Sequence, residues 1–223
     1  MGEYIEIKST ADDGFAFGAY HARPPAASRG GVIVVQEIFG IDEHVRRDVD
    51  RWASLGFEAV APSLFDRRER GYVSSHSPEG MASGIGHAQA TPIDQALADI
   101  AACRDYLAPR GKVFIVGYCY GGSMAWLAAG RLDGLSGSAS YYGSMVQANA
   151  GLKPKCPTVV HLGRLDTYIP ADDVKAAVQG ANPEVPVYIY EDAGHGFNDE
   201  DPERHDADSA DLARRRTLEI FGA

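Results

Sequence analysis

Hydrophobic residues in this chain fall into short unbroken runs separated by segments of helical spacing, and the alternation recurs along almost the whole length. The runs Gly31-Val-Ile-Val-Val-Gln36, Phe57–Ala61, Lys112–Val116, Ser138–Tyr142, Thr158–Leu162 and Val187–Tyr190 read as strands. Continuous rather than alternating apolar character is what a parallel strand buried on both faces requires. Tyr4–Lys8 and Phe15–His21 read as an opening antiparallel pair joined through Asp12-Asp13-Gly14. Between the strands, Val45, Val49, Trp52 and Ala53 recur at i, i+4, i+7 and i+8 behind the capping residue Asp42, which predicts an amphipathic helix. Thr91-Pro92-Ile93-Asp94 predicts a second helix start, with Thr91 as N-cap and Pro92 in the first helical position, and Ile93, Ala96, Leu97, Ile100 and Ala101 mark its buried stripe. Further helices are expected at Met124–Ala129 and from about Asp206 to Ile220, while Pro62 ends the Phe57–Ala61 strand. Residues 63–90, rich in Ser, Gly, His and Arg, read as a long irregular segment, the kind of connection that serves as a lid or mobile loop beside a functional site. Strands alternating with helices indicate an α/β fold with a parallel sheet covered on both faces.

Composition narrows the function more than the fold. With 223 residues and no linker that divides them, the chain reads as one domain, 1–223. A net charge of −10 argues against nucleic acid and against anionic lipid as partners. No apolar run approaches the roughly 20 residues that span a bilayer. The N-terminal Met1-Gly2-Glu3-Tyr4 lacks the basic and apolar regions of a signal peptide, so a cytoplasmic protein is expected. Cys103, Cys119 and Cys156 are too few and too widely spaced for a disulfide framework or a zinc site. His76 and His87 lack a carboxylate or thiol pattern that would make them metal ligands.

The candidate chemistry begins at Gly117-Tyr118-Cys119-Tyr120-Gly121-Gly122, which follows a predicted strand directly. Glycines on both sides of a central nucleophile suit a sharp strand-to-helix turn, where the backbone is crowded and the nucleophile is lifted above the sheet. A thiol there is useful for acyl transfer if a base activates it and a third group orients the base. Asp166, after the strand Thr158–Leu162, and His195, after the strand Val187–Tyr190, supply both. The chain order nucleophile, acid, histidine is that of α/β-hydrolases. His161, inside a strand, reads instead as a hydrogen-bonded core residue.

Taken together, Val35-Gln36-Glu37-Ile38-Phe39-Gly40, Ala61-Pro62-Ser63-Leu64-Phe65, the Cys119 turn, Asp166 and Gly194-His195-Gly196-Phe197 resemble the dienelactone hydrolases (carboxymethylenebutenolidases) over nearly the full length. The resemblance implies an α/β-hydrolase fold, with a mostly parallel sheet of about eight strands and helices on both faces. It implies a Cys-His-Asp triad acting on a small lactone or ester, with no metal or organic cofactor. Cys119 would be the nucleophile, His195 the general base and Asp166 its orienter. Glu37 would hold the thiol unreactive and take its proton when substrate displaces the carboxylate. The backbone amides of Ile38 and Tyr120 would form the oxyanion hole. Arg67 aligns with an arginine that pairs with the substrate carboxylate, and Tyr142, at a strand end, is a candidate substrate contact. One departure stands out: the family's second carboxylate-binding arginine lies a few residues past the histidine, where this chain reads Asn198-Asp199. That departure opens the alternative of a broader carboxylesterase or thioesterase. A non-catalytic ligand-binding protein of the same fold is the reading from another class. A monomer or small homo-oligomer is expected.

Overall fold

The computed structural model describes residues 2–222. Eight strands form one sheet in the order β1-β2-β4-β3-β5-β6-β7-β8. They are β1 (Glu3–Lys8), β2 (Ala16–Ala22), β3 (Gly31–Val35), β4 (Glu58–Pro62), β5 (Val113–Tyr118), β6 (Gly137–Tyr141), β7 (Thr158–Gly163) and β8 (Val187–Tyr190). The β1/β2 and β2/β4 pairs are antiparallel, whereas β3/β4, β6/β7 and β7/β8 are parallel. Helices α1 (Glu43–Ser54), α2 (Pro78–Ala90), α3 (Ile93–Leu107), α4 (Tyr120–Arg131), α5 (Ala171–Ala181) and α6 (Ala207–Phe221) connect and follow the strands. The chain falls into two compact units, Met1–Ile115 and Val116–Ala223.

In the first unit, every residue of β3 and β4 is buried, as their unbroken apolar sequences require. Asp42 caps α1 by accepting the Val45 amide at 3.0 Å, and Val45, Val49, Trp52 and Ala53 are buried on its inner face. The one carboxylate in β4, Glu58, is buried against His21 at 2.8 Å and Arg110 at 2.5 Å, so its charge is paired where it could not be solvated. Pro62, expected to end the strand before it, is the last residue of β4 and pairs with Ala19 of the antiparallel β2.

The irregular segment expected over residues 63–90 is instead structured in its second half. Ser77 accepts the Gly80 amide at 3.2 Å and caps α2, with Pro78 in the first turn. Its glycines, which read as loop residues in the sequence, are points of close approach: a Cβ on Gly80 would lie 2.0 Å from the Ser75 carbonyl oxygen, and one on Gly84 would lie 2.4 Å from that of Ile38. Thr91 ends α2 rather than capping α3, because its hydroxyl donates to the His87 carbonyl at 2.8 Å. Helix α3 then starts at Ile93 behind Pro92, with no side-chain cap.

In the second unit, α4 packs against β6, and α6 against β6 and β7. Nine consecutive residues of α4, Gly121–Ala129, are buried, so this helix is enclosed on all sides and carries almost no amphipathic signature. A separate buried polar network ties β6, β7, β8 and α6 together. His161 bonds the Tyr190 hydroxyl through Nδ1 at 2.9 Å and the Thr217 hydroxyl through Nε2 at 3.0 Å, and Tyr141 reaches the same Thr217 oxygen at 2.8 Å. Burial lowers the His161 pKa to about 3, so this imidazole stays neutral and serves as the core residue the sequence suggested.

Gly84→Ala should destabilise the protein although alanine favours helices by about 1 kcal/mol. The added methyl would overlap a backbone oxygen that cannot rotate away, and overpacking of this kind costs about 1–3 kcal/mol. Urea unfolding of the variant beside wild type measures the balance.

Candidate active site

The Cys119 turn is built by backbone crowding. β5 ends at Tyr118, α4 begins at Tyr120, and Cys119 between them takes φ 53° and ψ −111°. A side chain on Gly117 would place its Cβ 2.0 Å from the Gly121 carbonyl oxygen, and one on Gly122 would place it 2.2 Å from that of Tyr141. The Cys119 amide donates to the Tyr141 carbonyl at 3.0 Å, and the Ser123 amide donates to the Cys119 carbonyl at 3.1 Å. The thiol is therefore displayed from a turn fixed on both sides, at the N-terminus of a buried helix. At Cys103 and Cys156 burial raises the thiol pKa, which disfavours the reactive thiolate.

Asp166 and His195 meet on neighbouring turns. Asp166 follows β7, and its Oδ1 accepts the amides of Tyr168 at 2.8 Å and Ile169 at 3.1 Å. Its Oδ2 accepts the His195 Nδ1–H at 2.7 Å, and the carboxylate is only 1% exposed while the imidazole is 18% exposed. The turn carrying His195 is held beside β7 by the Leu165 amide, which donates to the Ala193 carbonyl at 2.9 Å. Only glycine fits at the end of β7, since a Cβ on Gly163 would lie 2.5 Å from the Ala193 carbonyl oxygen. Burial alone would lower the His195 pKa, but hydrogen bonds to Asp166 and to the Cys119 side chain outweigh it and raise the value to about 10. The imidazole therefore favours the protonated form.

Tyr142, a candidate substrate contact from its strand-end position, is enclosed by its neighbours. β6 stops one residue earlier, at Tyr141, and Tyr142 turns to φ 38° with its side chain wholly buried. Its ring lies 5.1 Å from that of His195 and 5.4 Å from that of Phe197, so it packs behind the imidazole.

In the first unit, Glu37 is buried just past the end of β3. The segment is held by Gln36, whose amide nitrogen donates to the Glu37 carbonyl at 3.2 Å and whose oxygen accepts the Leu64 amide at 3.2 Å. Arg67, which aligns with an arginine that pairs with a substrate carboxylate, is engaged within the first unit. Its guanidinium is engaged by Asp13, through Nε at 3.0 Å, and by the buried Asp99, and it lies 4.6 Å above the Phe15 ring. Two carboxylates already satisfy it, so it serves to pin the β1–β2 turn to α3. His87 stacks on Phe65 and Tyr72 and meets Glu69, while His76 packs on Phe39 and faces Asp42.

Sequence reasoning missed Arg204. It lies nine positions past His195, outside the window where an arginine was sought, yet its guanidinium packs 3.1 Å from where a Gly196 Cβ would be. It is paired with the buried Asp199, the residue that stands near the family's usual arginine position. No spacing rule links positions 196, 199 and 204; the 201–205 turn brings them together.

A mostly parallel eight-stranded sheet with helices between its strands defines an α/β-hydrolase. The model of the dienelactone hydrolase family matches residues 17–223, and the chain belongs to that family, whose members are hydrolases of the dienelactone hydrolase type. The carboxymethylenebutenolidase of Pseudomonas putida is 32% identical over 232 residues, covering 99% of this chain and 96% of the relative. A crystal structure from Klebsiella pneumoniae, provisionally assigned as a dienelactone hydrolase, is 29% identical with a TM-score of 0.85, covering 100% of this chain and 99% of that one. An esterase from Pyrococcus furiosus shares the fold alone, at 15% identity and a TM-score of 0.69 over 100% of this chain and 92% of its own.

Because His195 binds its proton more tightly folded than unfolded, its contribution to stability is full below about pH 6.5 and is lost as pH rises through about 10. Urea unfolding at pH 6, 8 and 10 should show wild type losing its advantage over His195→Gln across that window. An NMR titration should place the His195 midpoint well above that of free imidazole, and Cys119→Ser should lower it.

Proposed function

We propose that Cys119, His195 and Asp166 act as a triad that hydrolyses an ester or enol-lactone through an acyl-enzyme. The observation that carries this reading is the His195 imidazole, bonded through Nδ1 to Asp166 at 2.7 Å and drawn toward its protonated form by the Cys119 side chain. The thiolate sulfur attacks the carbonyl carbon, a C–S bond forms, and the carbonyl π pair moves onto oxygen. Collapse breaks the C–O bond, and the leaving oxygen takes the proton of the His195 imidazolium. Water then attacks the thioester while giving a proton to the neutral imidazole; the C–S bond breaks, releasing the acid and restoring the thiolate. Thiolate attack suits an enol-lactone because its leaving group is a stabilised enolate that needs little help from an acid.

The oxyanion needs preorganised donors, and the Tyr120 amide, first in α4, is suited to supply one. The Ile38 amide as second donor, and Glu37 as the acceptor of the thiol proton, rest on the family resemblance. Turnover of Glu37→Gln checks the latter role, with a lower kcat/KM expected and an unchanged value counting against it.

A second reading is a carboxylesterase or thioesterase of broader scope. It is favoured by the arginines: Arg67 is engaged by Asp13 and Asp99, and Arg204 by Asp199. Neither is arranged as a dedicated receptor for a substrate carboxylate. Wild type and Cys119→Ala should be assayed side by side on a dienelactone, an aryl acetate and an acyl thioester. Loss of at least about 10³-fold in the variant is expected for a group acting as part of a catalytic unit. Activity that survives the substitution would overturn the triad. Preference for the carboxylated lactone of at least about tenfold, about 1.4 kcal/mol, would favour the lactonase, and equal rates on neutral esters the second reading.

A further inference from the structure

Asp166 is flanked by two exposed apolar side chains. Leu165 is 60% exposed and Tyr168 is 70% exposed, and among the described residues of the second unit no other large hydrophobic side chain is exposed. Scattered exposed hydrophobics need no explanation, but these share one turn, and the Tyr168 ring meets the His195 ring edge-on at 5.4 Å and 81°. The backbone of the turn is also tied by hydrogen bonds. The carboxylate that orients His195 accepts the Tyr168 amide at 2.8 Å, and the Leu165 amide is fixed to the Ala193 carbonyl. A tyrosine ring on a fixed backbone offers a flat apolar surface at low entropic cost.

We propose that Tyr168, with Leu165 beside it, is a specificity-determining surface that binds a flat apolar substituent on the leaving-group side of the substrate. This rests on the triad reading above. His195 is then the group that hands a proton to the leaving oxygen, so that oxygen must come within hydrogen-bonding distance of the imidazole. A ring in edge contact with the same imidazole is placed to meet what the oxygen carries. The substrate class is an ester of an arylmethyl or similar planar alcohol, or a lactone whose enol side bears an extended apolar substituent.

The test compares benzyl acetate with methyl acetate, whose leaving groups have similar basicity, in wild type, Tyr168→Ala and Tyr168→Phe. In Tyr168→Ala the ratio of kcat/KM for the benzyl over the methyl ester should fall about tenfold, the scale of a lost aromatic contact. Tyr168→Phe, which keeps the ring, should keep the ratio. A ratio unchanged in Tyr168→Ala, whether both rates fall together or neither does, overturns the proposal, since a residue that merely steadies His195 would affect both esters equally. A fall seen instead between methyl phenylacetate and methyl acetate overturns the leaving-group assignment. Cys119→Ala run alongside separates the two levels: if it hydrolyses these esters as wild type does, the triad reading fails before the Tyr168 proposal is reached.

Discussion

The Cys119 turn imposes the constraint on which the second unit depends. A non-glycine residue at φ 53° and ψ −111° costs on the order of 1–3 kcal/mol and persists only where its surroundings leave no alternative. Here the surroundings are backbone. Gly117 faces the Gly121 carbonyl, Gly122 faces the Tyr141 carbonyl, and a Cβ on Gly143 would lie 2.7 Å from both Gly122 and Ser123. The three glycines let β5, α4 and the turn after β6 approach until little but main chain separates them. Around that contact Tyr118, Met124, Trp126 and Leu127 are almost fully buried, and their apolar burial offsets the local strain. Relaxing the turn would require parting those backbones and opening that core.

A second layer of support lies in the strands of the same unit. Tyr141 gives its carbonyl to the Cys119 amide and its hydroxyl to Thr217, and Thr217 also bonds His161, whose carbonyl accepts the Tyr142 amide. The polar network of α6, β7 and β8 thus bears on Tyr141, whose carbonyl holds the Cys119 amide, and on Tyr142, which packs behind His195. Such a network stabilises one arrangement because every partner is used, and it does so without a charge, His161 being neutral throughout the ordinary pH range. Asp166 acts similarly in the turn after β7, where one carboxylate holds both the imidazole and the backbone of Tyr168.

The strands and the placing of Cys119, Asp166 and His195 at strand ends were legible in the sequence because both are written in local patterns. β3, β4, β7 and β8 follow unbroken apolar runs, and Cys119, Asp166 and His195 each stand just past a strand, in the order characteristic of the fold. Helix α2 was not legible because its packing uses glycine in place of an apolar stripe: Gly80 and Gly84 are its buried residues, and both approach backbone carbonyls. Thr91-Pro92 looked like a helix start because threonine and proline favour that position, but the hydroxyl found the carbonyl four residues back and closed the preceding helix instead. The surroundings of Tyr142 and Arg67 were not legible, for a common reason. Their side chains are directed by partners distant in sequence, His195 in one case and Asp13 with Asp99 in the other, and no local spacing records such partners.

The same limit bears on selectivity. A carboxylate receptor in a protein needs a guanidinium that is fixed yet still has donors to offer, since a bidentate pair draws both energy and direction from that geometry. Arg67 is fixed, but by Asp13 and the buried Asp99, and recruiting it for substrate would leave Asp99 with an uncompensated buried charge. Arg204 is likewise held by Asp199, whose carboxylate is also buried. Freeing either arginine would cost several kcal/mol, comparable with what a new carboxylate pair could return. Charge is therefore a poor means of discrimination for these two residues. Apolar contact is a better one, because Leu165 and Tyr168 are already exposed on a turn whose backbone is hydrogen-bonded, and covering them with substrate would remove apolar surface from water.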